Sequence, residues 1–319
     1  MESFEGRMAV VTGGGTGMGR ELARQLSAAG AHVAMCDISE DDMAETARLC
    51  ESDAPAGTRI STRRCDVSVE DQVVAFRDAV TETHETEHVN LLFNNAGIGG
   101  GGGFVDGDRG EWEKTFGVCW SGVYNCSRAF MPLLVASDEA VIVNTSSING
   151  FWASVGPDTP HTAYSAAKFA VKGFTEALIT DLRLNAPHVR AAVVMPGHIG
   201  TSIAINSRKI LGPVDPTLVR KRMAERGLPV DQMSDGDLVA LMDQIAVGFR
   251  DNAPTTAAQA ATIILDGVRE GRWRILVGDD AHDIDKIVRG DPEAAYDIDF
   301  IDRIRAAGHF RNFLTLDED

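Results

Sequence analysis

Two residues able to move a proton stand four places apart in HTAYSAAKFAV, residues 161–171: Tyr164 and Lys168. On a helix, residues four apart share a face, so the phenol and the ammonium would project side by side. A phenol alone is a poor base near neutral pH, its unperturbed pKa being about 10. A neighbouring ammonium favours the phenolate and lowers that pKa. The pair could then take the hydroxyl proton of an alcohol as its carbon is oxidised, or return it to a carbonyl oxygen. Ser147, at the end of an apolar run, could hydrogen-bond and orient the same oxygen. An amphipathic helix can also carry a half-buried tyrosine and a snorkelling lysine with no such role, so the surrounding elements decide.

Seven short apolar runs are expected to be strands: MAVV at 8–11, HVAMC at 32–36, ISTRRC at 60–65, VNLLF at 89–93, AVIVN at 140–144, VRAAVVM at 189–195 and RILV at 274–277. Between them lie helical patterns such as GRELARQLSAAG, with Leu22 and Leu26 four apart and Gly30 placed to end the helix. Several strands are apolar throughout, as strands covered on both faces should be. The alternation predicts an α/β fold, a doubly wound, seven-stranded parallel sheet of Rossmann type. One domain over 1–280 is expected. Residues 201–260, broken by Gly212, Pro213, Pro216, Gly227, Pro229 and Pro254, read as one or two lid helices over a cleft. Residues 281–319 form an acidic C-terminal extension with helical periodicity at Ile284, Ile287 and Val288 and at Phe300, Ile301 and Ile304. It is expected to pack on its own subunit or a neighbour.

The first strand runs into TGGGTGMGRELA, which places Gly13, Gly17 and Gly19, with Thr16 and Met18, in a turn that opens a helix. Amides at such a helix start are donors at the positive end of the dipole, where a pyrophosphate can dock. The second strand ends in Asp37, 18 residues beyond Gly19. An acid there can bind the ribose 2′-hydroxyl of NAD and would repel the 2′-phosphate of NADP. No Lys or Arg lies within residues 13–17 to offset it, so NAD is expected.

A formal net charge of −17, from 30 basic and 47 acidic residues, argues against nucleic-acid or membrane-surface partners. The start MESFEGRMAVVTGGG has no basic region followed by an apolar one, and no run approaches the roughly 18 apolar residues of a membrane span, so a cytoplasmic location is expected. Five cysteines, odd in number and without CxxC spacing, speak against a disulfide framework or a structural zinc site, and no metal is expected.

Taken together, TGGGTGMG at 12–19, Asp37, Asp66-Val67, NNAG at 94–97, NTSS at 144–147, YSAAK at 164–168 and PGHIGT at 196–201 resemble the short-chain dehydrogenases/reductases with a TGxxxGxG turn and a YxxxK site. The resemblance is strong over about residues 5–202 and looser to residue 277. It implies that Asp66 and Val67 lie against the adenine, that Asn94, Ala96 and Gly97 border the adenosine ribose, and that Lys168 also binds the nicotinamide ribose. Pro196, Gly197, Ile199 and Thr201 would hold the nicotinamide carboxamide. A homo-oligomer, a dimer or tetramer built on the helices carrying Cys119 and Tyr164, is also implied.

One position departs from the family pattern. In VCWSGV, residues 118–123, Cys119 stands where the family usually has an asparagine that holds a relay water, and a thiol is a poor replacement for an amide. A rewired or weaker proton relay is expected, or a relay water held by backbone carbonyls with Cys119 merely packing. The 17 residues from Ser147 to Tyr164 exceed the family's usual spacing. The insertion offers Trp152, Val155 and His161 as substrate contacts, with His198 a further one, and Gly99–Gly103 reads as a mobile cleft edge. The resulting expectation is an NAD-dependent oxidoreductase interconverting a fairly hydrophobic secondary alcohol and a ketone, hydrophobic because the lid carries Ile203, Ile205, Ile210 and Leu211. A 3-oxoacyl-thioester-type reductase and a catalytically weak NAD-binding regulator are the alternatives.

Overall fold

The structure, a computed structural model, describes residues 1–156, 159–212, 215–225, 230 and 232–309. In chain order the first half comprises β1 (Met8–Thr12), α1 (Gly17–Ala28), β2 (His32–Asp37), α2 (Glu40–Asp53), β3 (Ile60–Arg64), α3 (Glu70–His84) and β4 (Leu91–Asn94). Next come α4 (Arg109–Phe116), a π-helical turn over Gly117–Ser121, α5 (Gly122–Val135), β5 (Ala140–Thr145), α6 (Thr162–Asn185) and β6 (Val189–Pro196). The remainder is β7 (Ile199–Gly200), α7 (Ile203–Leu211), α8 (Pro216–Glu225), α9 (Asp235–Asp251), β8 (Thr255–Thr256), α10 (Ala257–Arg269), β9 (Arg274–Val277), α11 (Asp279–Gly290) and α12 (Phe300–Ala306).

Seven strands pair in the order β3-β2-β1-β4-β5-β6-β9, all parallel. They are the seven expected from the apolar runs. The order reverses between β1 and β4, and a crevice opens beyond the strand ends at such a point. Alternate residues serve opposite faces: Ala9 and Val11 pack with Leu22, Leu26 and Ile264, while Met8 and Val10 pack with Phe76 and Phe130. Burying each large apolar side chain of this kind contributes about 1.5–3 kcal/mol, which is why the central strands carry no alternation with polar residues.

Three helices, α7, α8 and α9, stand where one or two lid helices were expected. Gly212, at φ +103°, ends α7, and Pro216 opens α8 at the first helical position, which tolerates proline. Pro213, Gly227 and Pro229 lie outside the described residues, as does the tail from residue 310. Helix α9 starts at a capping box in which the Ser234 hydroxyl and Asp237 each satisfy the other's backbone amide. The two-residue strands β7 and β8 form a separate parallel pair, too short to leave a pattern in the sequence.

The described part of the extension packs on its own chain. Ile284, Phe300, Ile301 and Ile304 form a buried cluster with Trp152, Met195 and Leu276, so α11 and α12 cover the sheet end beside β9. All five cysteines are buried and free. Among the described residues no helix is long and apolar enough to cross a membrane.

Candidate active site

Beyond β1, β2 and β4 a cleft is lined by Gly13, Thr16, Gly17, Met18, Asp37, Asp66, Val67, Ala96, Gly97 and Thr201. Its floor is the glycine turn. A Cβ at Gly19 would collide with the Gly13 carbonyl, and Gly13 itself has φ +68° with Ala96 against it, so the turn closes only with glycine at both places. Gly19 is thus a buried packing residue below the cleft rather than part of its lining. Thr16 makes no side-chain cap at the start of α1, so the first-turn amides keep their donors. That amide cradle fits a pyrophosphate.

The Asp37 carboxylate sits at the cleft edge, accepting from the Gly15 amide at 3.0 Å and from the Ile38 and Ser39 amides at 2.7 and 3.2 Å. Arg20, the nearest cation in the turn, donates to the Gly15 carbonyl at 2.7 and 3.0 Å and to the Thr46 hydroxyl at 3.0 Å. It is committed to holding the turn.

Tyr164 and Lys168 both lie on α6, with Lys168 Nζ 5.3 Å from the phenol ring centroid. The Lys168 ammonium is buried and donates to the Thr145 carbonyl at 2.8 Å, which accounts for one of its three N–H donors. It lies directly behind Gly97, in the cleft lining, as does Cys119. Ser147 follows β5 and lies close enough to the Tyr164 hydroxyl to lower its pKa, while its own hydroxyl accepts from the Asn149 amide at 3.1 Å. The structure therefore brings Ser147, Tyr164 and Lys168 together beside the cleft. Burial holds the Tyr164 phenol well above its ordinary pKa, with Cys119 acting in the same direction and Ser147 opposing. This is opposite to the lowering expected from Lys168 alone. Removing the phenolate from water dominates, and burial lowers the pKa of Lys168 as well.

Cys119 occupies the π-helical turn, fully buried, with its thiol donating to the Ile98 carbonyl at 3.2 Å. π-helical turns are frequent at functional sites. The His161 ring lies tilted against that of Tyr164, ring centroids 4.8 Å apart at an interplanar angle of 39°, and burial pushes its imidazole down to about 4, so it is neutral near pH 7. Val155 is half-buried in the insertion, whose residues 157 and 158 lie outside the described ones.

Several expected contacts are corrected. Trp152 is 1% exposed, donating its indole N–H to the Ala295 carbonyl at 2.7 Å and packing on Phe300; it anchors the C-terminal extension and reaches no substrate space. His198 packs on α9, its ring 4.4 Å from that of Phe249 and its Nε2 2.6 Å from the Phe249 carbonyl. The Asn94 side chain turns into the protein, donating to Ser127 and to Asn144 at 2.9 and 2.8 Å, and the residue does not join the cleft lining. Pro196 and Ile199 are buried, and of PGHIGT only Thr201 joins the cleft lining. Gly99–Gly103 is pinned rather than loose: the Gly99 amide donates to Ser207, the Gly101 amide to Glu111, and the Gly101 and Gly102 carbonyls accept from the start of α6.

Sequence reading missed Asn95, Ile98, Lys114, Val118 and Asn206, which also line the cleft. Asn206 comes from the lid and donates to Thr16 at 3.1 Å, while Lys114 donates to the lid carbonyl of Ile210 at 2.8 Å. Only Asn95, within NNAG, carried a signal.

The family model for short chain dehydrogenases matches residues 7–211. SadH of Mycobacterium tuberculosis, an oxidoreductase by name, is 34% identical over 291 residues, covering 91% of this chain and 92% of its own. A short-chain dehydrogenase/reductase from Burkholderia phymatum, solved in complex with NAD, superimposes with a TM-score of 0.75 at 29% identity, covering 92% of this chain and 96% of its own. A metagenomic short-chain oxidoreductase in complex with NADP gives a TM-score of 0.53 at 25% identity, covering 76% and 91%. With the glycine cradle and the Ser-Tyr-Lys cluster in place, these matches identify the chain as an oxidoreductase of the short-chain dehydrogenase/reductase family.

Proposed function

We propose that the protein interconverts a hydrophobic secondary alcohol and its ketone with NAD(H), using Tyr164 as general acid and base. The observation that carries this reading is the meeting of Ser147, Tyr164 and Lys168 beside a cleft whose floor is an amide cradle and whose edge is the Asp37 carboxylate. NAD bound there would supply the hydride acceptor, and NADH the donor. Gly13, Thr16, Gly17 and Met18 would hold its pyrophosphate, Asp37 the 2′-hydroxyl, Asp66 and Val67 the adenine, and Lys168 the second ribose.

Ser147 holds the substrate oxygen, and the protonated phenol of Tyr164 gives its proton to a ketone as the carbonyl carbon is reduced. In the reverse direction the phenolate takes the alcohol's proton, and the adjacent lysine stabilises that charge. His161, neutral and tilted against Tyr164, would face the substrate, and Ile203 and Ile210 add apolar lining to the cleft, which supports an apolar substrate. The preference for NAD rests on the Asp37 carboxylate at the cleft edge, with Arg20 held by Gly15 and Thr46, although the exposed Arg64 lies in register with Asp37 on β3. Assembly as a dimer or tetramer through α5 and α6 is part of this reading, supported by the exposed Tyr124 and Phe169 on those helices. Initial rates with NAD and with NADP on a panel of secondary alcohols test it: activity with NAD is expected, and a preference for NADP would overturn the cofactor assignment.

A further inference from the structure

We infer that Asp280, in the first turn of α11, is a positioning residue for the loop that receives the nicotinamide end of the cofactor. This rests on the proposed placement of Pro196–Thr201 against the carboxamide.

The parallel register sets Pro196 opposite Val277, and the Gly197 amide donates to the Val277 carbonyl at 3.0 Å. The chain leaving β6 therefore runs beside the chain leaving β9, which turns at Gly278 (φ +97°) into α11. Asp280 is 4% exposed there. One carboxylate oxygen accepts from the His198 amide at 2.6 Å, and the other accepts from the Ala281 amide at 2.9 Å. A Cβ at Gly197 would collide with both oxygens, so glycine at 197 is what lets the loop backbone close onto the carboxylate. Helix α11 is itself fixed, by Ala281, Ile284 and Val288 in the buried cluster with Trp152 and by Asp285 between Arg274 and Arg289. Helix α11 thus fastens the cofactor loop through one side chain.

Chemistry also dictates the residue type. Both oxygens face N–H donors, which a carboxylate satisfies; an amide of the same shape offers one acceptor and sets its NH₂ against the other buried N–H. Asp280→Asn therefore keeps the volume and breaks the fastening. Asp280 touches neither cleft nor reacting atoms, so its effect must appear at the nicotinamide end alone.

The test compares NADH with ADP-ribose, which lacks the nicotinamide, by fluorescence and calorimetric titration of wild type and Asp280→Asn. Loss of one buried charged hydrogen bond leads us to expect NADH affinity to weaken by about tenfold, with ADP-ribose affinity unchanged within about twofold. Gly197→Ala, which displaces the carboxylate from the other side, should give the same split and replaces Asp280→Asn if that variant does not fold. Equal weakening of both ligands, or no change in either, overturns the inference while leaving the cofactor reading intact. Wild-type protein that binds neither ligand overturns both.

Discussion

The hydroxyl of Tyr164 is a single atom on which proton transfer depends, and it can be removed with little change of shape. Tyr164→Phe should lower kcat/KM by about a thousandfold or more while NADH affinity stays within about threefold, because general acid and base catalysis is lost and the amide cradle is untouched. Since burial holds the Tyr164 phenol above its ordinary pKa, its phenolate grows in only as pH rises. Alcohol oxidation should therefore increase toward alkaline pH, whereas ketone reduction, which uses the protonated form, should fall there; initial rates in both directions across pH check the opposed slopes. Asp37→Ser should narrow the NAD over NADP preference by roughly ten- to a hundredfold, since the residue removed is the charge that would meet a 2′-phosphate. Paired kcat/KM values for the two cofactors measure it.

Elements differ in how plainly the sequence announces them. The parallel strands were legible because covered strands are apolar end to end, and the cradle because glycines at 13, 17 and 19 have a steric reason visible as spacing. The acid and base pair was legible because helical periodicity converts four residues into adjacency. By contrast, Trp152 lay in an insertion beside the expected substrate site, and nothing local says that its indole N–H is satisfied by Ala295, 143 residues on. Asp280 was silent for the same reason, its partners being backbone amides brought close by strand register. The lid contacts Asn206 to Thr16 and Ser207 to Gly99 likewise depend on tertiary docking. Since Trp152 belongs to the packing of α11 and α12, Trp152→Ala should cost about 3–5 kcal/mol of stability by denaturant titration, with kcat and KM of the remaining folded protein near wild type. A large KM effect on stable protein would return Trp152 to the substrate site.

Across the whole molecule, pH acts through buried histidines. His161 and His84 are both pushed by burial down to about 4, against about 6.5 in the unfolded chain. The unfolded state therefore binds more protons between those values, so their contribution is fully present above about pH 6.5 and is lost as pH falls toward 4. Thermal unfolding should show a falling midpoint across that window, and replacing His84, whose Nε2 meets the Ser61 hydroxyl at 2.7 Å, by Gln should flatten part of the slope. Light scattering after size exclusion should give a dimer or tetramer mass.

The most direct measurement is NADH absorbance formed from NAD and a panel of secondary alcohols, with Tyr164→Phe run in parallel. The expected result is turnover by the wild type that vanishes in the variant while the variant still binds NADH. Turnover that persists in Tyr164→Phe would contradict the assignment of Tyr164 as the proton-transferring residue.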